Sequence, residues 1–127
     1  MELQQLGKQA LFGDAMRPEI LRAAGLDAAA YLLVTVPHAG ISLRIIQAAR
    51  EVAPLVRIIA RAEYINQSDA FTQAGAAIIR YDEAESAAAL AEALLNDIDV
   101  PADRIDALVT SIRNEFAPAR RSLTSAN

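Results

Sequence analysis

Apolar positions along the chain follow two patterns that take turns. Short runs rich in β-branched or aromatic residues occur at Tyr31-Leu32-Leu33-Val34-Thr35-Val36 and at Val56-Arg57-Ile58-Ile59-Ala60. Runs this short, bounded by polar or turn residues, predict buried strands rather than helices. Gln9-Ala10-Leu11-Phe12, closed by Gly13, and Ala76-Ala77-Ile78-Ile79-Arg80-Tyr81, opened by Gly75, carry the same signature less fully.

The segments between these runs have helical spacing. Pro18 suits a first helical turn, Ile20, Leu21 and Ala24 follow on one face, and Gly25 can close the helix. Ile41, Ile45, Ala49 and Val52 recur at helical intervals until Pro54 ends the pattern. Asn66 or Ser68 is expected to cap a short helix that Gly75 terminates. After Tyr81, one helical face carries Ala87, Leu90, Ala91, Leu94, Leu95 and Ile98. A final stripe from Pro101 holds Ile105, Leu108, Val109, Ile112 and Phe116. Such a stripe docks on its own domain or on a second subunit, and both remain open at this level. Residues 120–127 show no periodicity and predict a mobile tail.

The order is strand, helix, strand, helix, strand, helix, strand, helix, helix. Strict alternation with buried-type strands predicts an α/β fold: a parallel sheet of about four strands covered by helices on both faces. The expected division is a Rossmann-like body over residues 1–98, an amphipathic helix over 99–119 and a tail over 120–127.

Composition narrows the function classes. With 127 residues, 54% hydrophobic and 22% charged, the chain holds one domain and is not disordered as a whole. Lys+Arg of 12 against Asp+Glu of 16 leaves −4, which disfavours nucleic acid as a partner because phosphate binding needs a positive stripe. Cysteine is absent, which removes disulfides, thiolate metal sites and catalytic thiols. No Lys/Arg-headed apolar segment opens the chain, so no secretory signal is expected. The stretch Ala28 to Val36 has about half of the roughly 20 residues needed to span a bilayer. A cytoplasmic domain is expected.

In open parallel sheets, ligands bind beyond the carboxyl ends of the strands. Those ends hold Gly13, Asp14 and Ala15; then Thr35, Val36, Pro37 and His38; then Arg61, Ala62 and Glu63. A carboxylate such as Asp14 can accept from an adenine amino group or a ribose hydroxyl. It can equally cap the helix near Pro18 or an extra turn before it. The Arg61 guanidinium must leave an apolar strand at the ligand edge, where its fork matches phosphate or carboxylate. The alternative is a salt bridge to Glu63 or Asp14. His38 is the only histidine, and a loop or capping role suits it better than catalysis. No G-x-S-x-G elbow surrounds Ser42, and no H-E-x-x-H, D-x-D-x-D-G or Walker A run occurs. Asp82, Glu83 and Glu85 form an acidic helix start that the helix dipole favours. No G-x-G-x-x-G turn is present, since Gly7 and Gly13 are isolated.

The run from Lys8 to Gly25, KQALFGDAMRPEILRAAG, resembles the third strand and following helix of the TrkA-N, or RCK, domain, whose pattern is G-x-x-V-x-x-G-D-A-x-x-x-x-x-L-x-x-A-G. Leu33-Val-Thr-Val36, Arg57-Ile-Ile-Ala-Arg-Ala62 and Gln73-Ala-Gly-Ala-Ala-Ile-Ile79 continue the likeness in order, so that it covers residues 3 to about 97. The wording is most similar to cytoplasmic domains of Kef-type antiporters, in the monovalent cation:proton antiporter-2 family. The resemblance implies a non-enzymatic regulatory domain at the inner face of the membrane. Such a domain pairs into homodimers, senses NAD(H), AMP or ATP, and biases a membrane transporter. It also implies cofactor-binding roles for Gly13, Asp14, Ala15, Val36, Pro37, His38 and Arg61.

The sequence departs from the family at its front, where the first strand, the glycine turn and the second strand would precede Met1. A C-terminal piece is therefore expected, with weak or no nucleotide binding because the phosphate cradle is missing. In the family order 3-2-1-4-5-6, the missing strands would separate residues 9–12 from 31–36. The gap is expected to close by direct pairing or to be covered in a dimer. An interaction module that binds no nucleotide is the alternative. A Rossmann enzyme is disfavoured, because no Tyr-x-x-x-Lys pair exists and Lys8 is the sole lysine.

Overall fold

The computed structural model describes Leu11 and residues 13–116. Its elements are α1 (Pro18–Ala23), β1 (Tyr31–Val34), α2 (Ala39–Val52), β2 (Arg57–Ala62), α3 (Ser68–Ala74), β3 (Ile78–Tyr81), α4 (Asp82–Asp97) and α5 (Ala102–Phe116). Single 3-10 turns at Leu26–Ala28 and Ile65–Gln67 lead into β1 and α3. The strand expected at 9–12 lies outside the described residues except for Leu11, which belongs to no regular element.

The three strands form a parallel sheet in the order β1-β2-β3. The register pairs Val34 with Ala60 and Ala60 with Ile79. Side chains alternate across a strand, so one face carries Leu32, Val34, Ile58, Ala60, Ala62, Ile79 and Tyr81. That face joins Ile45, Ile46 and Ala49 of α2 and Phe71 of α3 in one continuous core. Ile46, Ile58 and Phe71 are fully buried, and each contributes about 1.5–3 kcal/mol in burial. The opposite face carries Tyr31, Leu33, Arg57, Ile59, Arg61, Ile78 and Arg80. Coverage on both faces was expected; at β1 the second face is open, with Tyr31 59% and Leu33 63% exposed.

Local chemistry explains the element ends. Pro18 sits in the first turn of α1, and Gly25 follows that helix at φ 87°, where a Cβ would be strained. Neither Asn66 nor Ser68 caps α3. Gln67 precedes that helix, and its side-chain oxygen accepts from the backbone N–H of Glu63 at 3.0 Å and Tyr64 at 3.2 Å. Gly75 ends α3 at φ 122°. Arg50 then clamps three loop ends: it donates to the carbonyls of Pro54 (3.0 Å), Val56 (2.6 Å) and Gly75 (2.6 Å).

Helices α4 and α5 form a hairpin with its own small core of Ala88, Ile105 and Val109, flanked by Leu95, Val100 and Ile112. The turn between them places Asp99 at φ 60° and closes with Val100 N–H donating to the Leu95 carbonyl at 3.0 Å. The final stripe therefore docks within its own chain, through Ile105 and Val109, while Leu108 stays 44% exposed. The inward face of α4 differs from the expected one. Ala84 and Ala88 are buried, whereas Leu90, Leu94 and Ile98 are 73%, 60% and 59% exposed. Buried alanines let α5 approach closely, and the longer side chains are left outside.

Candidate functional site

The carboxyl ends of β1 and β2 assemble one cluster. Val36 is half-buried against the core, and its carbonyl accepts from the buried Ser42 Oγ at 2.9 Å. This bond fixes the loop that leads into α2. His38 is the N-cap of α2, and its Nδ1 accepts from the Ile41 N–H at 3.3 Å. The capping reading holds. Pro37 and His38 are both exposed.

Arg61 lies inside β2 rather than beyond its end, because the strand runs on to Ala62. Its partner is neither Glu63 nor Asp14. Nε donates to the two carboxylate oxygens of Asp82 at 2.9 and 3.1 Å, and Nη2 donates to Oδ2 at 2.9 Å. The hydrogen bonds to Asp82 raise the Arg61 pKa further above its ordinary value, and the Asp82 charge acts in the same direction. Nη1 reaches the Thr35 carbonyl at 3.5 Å, which links this pair to the end of β1.

Asp82 thus does more than favour the dipole of α4, and so do its neighbours. Glu83 accepts from the Ile65 N–H at 2.9 Å, and Glu85 pairs with Arg113 at 3.1 Å. Sequence reasoning missed these partners although one signal existed. Adjacent parallel strands place their carboxyl ends side by side, so Arg61 near the end of β2 and Asp82 just after β3 were natural neighbours.

Among the described residues, no hydrogen bond links Gly13, Asp14 or Ala15 to this cluster. Asp14 Oδ1 accepts from the Met16 N–H at 2.9 Å, and its carbonyl accepts from the Arg17 N–H at 3.0 Å. It stabilises the turn before α1, and Arg17, which has no side-chain capping bond, is the N-cap of that helix. A Cβ on Gly13 would approach Ile20 to 3.0 Å, so the backbone passes close over α1 there. Ala15 packs against the core. Asp14 lines an open recess of about 450 Å³ with Met16, Pro18, Arg44, Gln47, Ala48 and Glu51. The α2 members of that recess run from its second turn onward, away from His38 at the helix start. Arg44, Gln47 and Glu51 were not singled out in the sequence, being polar positions on an amphipathic helix with nothing to mark them.

Comparison with known proteins places this geometry. The sequence model described as TrkA-N domain matches residues 1–82. A relative from Escherichia coli (strain K12) that carries the name cation/proton antiporter YbaL is 34% identical over 93 residues. That match takes in 73% of this chain and 17% of the relative, so the chain spans less than a fifth of the length of that protein. Among solved structures, the TrkA-N domain of inner membrane protein ybaL from Escherichia coli has a TM-score of 0.68 and 34% identity, covering 73% of this chain and 69% of that one. The Kef C-terminal domain of Shewanella denitrificans in its AMP-bound form has a TM-score of 0.73 at 21% identity, covering 85% and 68%; it supports the fold. The NAD(P)-binding domain of an exopolyphosphatase-related protein from Archaeoglobus fulgidus has a TM-score of 0.61 at 25% identity, covering 76% and 69%.

Proposed function

Because the chain belongs to the TrkA-N domain family, we propose that it is a regulatory module of a cation:proton antiporter, carried on the cytoplasmic side of the membrane. In this reading it pairs with a second copy, senses an adenine nucleotide such as NAD(H), AMP or ATP, and biases the movement of potassium or another monovalent cation. It catalyses nothing; ligand binding shifts the packing of two domains, and the packing shifts the transporter. The observation that carries the reading is the 34% identity to a cation/proton antiporter domain over most of this chain.

The nucleotide would lie at the carboxyl edge, between Gly13, Asp14 and Ala15 on one side and Val36, Pro37, His38 and Arg61 on the other. Among the described residues no helix is long and apolar enough to cross a membrane. A second reading, an interaction module that binds no nucleotide, draws support from the site itself. The Asp14 carboxylate already accepts from Met16, and Arg61 is already forked onto Asp82.

Thermal unfolding with AMP, ATP and NADH separates the two. A ligand of the native state at about a hundredfold its Kd adds about 2.7 kcal/mol to stability. The sensing reading expects a saturable rise in melting temperature that Asp14→Ala removes. No rise at millimolar nucleotide selects the interaction module. Sedimentation of the same samples tests the second copy.

A further inference from the structure

We propose that the cleft between the end of β3 and the α4–α5 hairpin binds a small oxyanion, a phosphate or carboxylate group, held by Arg80 and Arg113. The cleft has a volume of about 330 Å³, and its walls include Arg80, Tyr81, Glu85, Thr110, Arg113 and Asn114. It shares no residue with the Asp14 recess, and the proposal does not rest on the nucleotide reading.

The argument begins with charge. Arg61 and Arg80 are register partners on adjacent strands, and Arg80 of β3 and Arg113 of α5 both line the cleft. Two carboxylates answer three guanidinium groups: Asp82 holds Arg61, and Glu85 holds Arg113. Among the described residues Arg80 has no carboxylate partner, and the bond it makes is Nη1 donating to the Ile79 carbonyl at 3.2 Å. Among the described residues, one positive charge at the cleft wall is therefore unanswered, on a chain whose net charge is −4.

Donor chemistry points the same way. Arg113 engages Glu85 through Nε, and among the described residues its terminal nitrogens make no hydrogen bond. Thr110 and Asn114, one helical turn apart on α5, add a hydroxyl and an amide. Planar guanidinium forks suit an oxyanion, which can accept two parallel bonds from each. Glu85 and Arg113 offset one another in the cleft wall, so the net positive charge there comes from Arg80, and Arg113 contributes N–H donors.

Binding has a mechanical meaning. Helix α5 packs on α4, and its core residues belong to a cluster separate from that of the sheet. An anion shared by Arg80 on β3 and Arg113 on α5 would join α5 directly to the sheet, to which α4 is already tied through Asp82 and Arg61.

Backbone amide NMR titration of the purified chain tests this, with inorganic phosphate and succinate in separate arms and chloride at matched ionic strength as control. Saturable shifts at Arg80, Glu85, Thr110, Arg113 and Asn114 are expected from phosphate, succinate or both, and chloride should not produce them. The arm that saturates identifies the phosphate or the carboxylate source. Arg80→Gln is expected to weaken binding about tenfold or more, because a charge-assisted hydrogen bond is lost at an exposed site. Arg113→Gln can also loosen the hairpin, so Arg80→Gln decides. Unchanged affinity in a folded Arg80→Gln protein overturns the proposal. So do unsaturable shifts spread equally over Arg44 and Arg57, which report screening alone.

Discussion

The α/β body and the α4–α5 hairpin are held together by different means. In the body, Ile46, Ile58 and Phe71 are fully buried within a core that runs continuously through α1, the sheet, α2 and α3. In the hairpin, four described residues are buried, Ala84, Ala88, Ile105 and Val109, two of them alanines, and Leu90, Leu94 and Ile98 face outward. Large side chains anchor the first region, and close approach of small ones allows the second. A region with so few buried apolar contacts opens at lower free energy than its neighbour. The hairpin is the segment best suited to respond to a ligand or a partner, and the body is the frame it responds against.

Five substitutions test that contrast. Phe71→Ala should destabilise the whole body by about 3–5 kcal/mol in chemical denaturation. A loss confined to amides of α3 would show that the core is not continuous. Arg50→Met leaves the carbonyls of Pro54, Val56 and Gly75 without their donor and should cost about 2–3 kcal/mol, again globally. Gly75→Ala should mimic it, since a Cβ there would lie 2.4 Å from Arg50 Nε at a φ of 122°. Ile105→Ala should cost about 2 kcal/mol, at the low end for such a truncation because a small core collapses readily. Its effect should appear as faster hydrogen exchange in α4 and α5 while β1 to β3 keep their protection. Equal acceleration in the sheet would dissolve the distinction between the two regions. Arg113→Ala should cost less than about 1 kcal/mol, as exposed ion pairs do, and should be sensitive to salt.

Much of the frame could be read from the chain. The runs at Tyr31 and Val56 became β1 and β2, and Pro18 and Pro54 marked a helix start and a helix end. Strand limits were less legible, because Thr35 and Val36 are as β-prone as Val34 but turn out of the ladder towards Ser42. The α4 face was misjudged for a definite reason. Leucine periodicity identifies a stripe, but in an alanine-rich helix the buried stripe is the one a neighbour can approach most closely. Arg61 was placed correctly at an edge and given the wrong partners, since charge alone does not say which strand end lies alongside. The Asp14 turn was among the readings left open. Its place beside Arg44, Gln47 and Glu51 was not, because it depends on how α1 packs along α2.

The strand order β1-β2-β3 has a consequence for how the body forms. Each strand pairs with the next one in the chain, so every crossover is a single loop-helix-loop of local length. No described strand must wait for a distant segment to arrive between its neighbours. Folding rates rise as contacts become more local. The described sheet can therefore assemble in the order in which it is synthesised, β1 on β2 and then β3, with the hairpin closing last over a frame already in place.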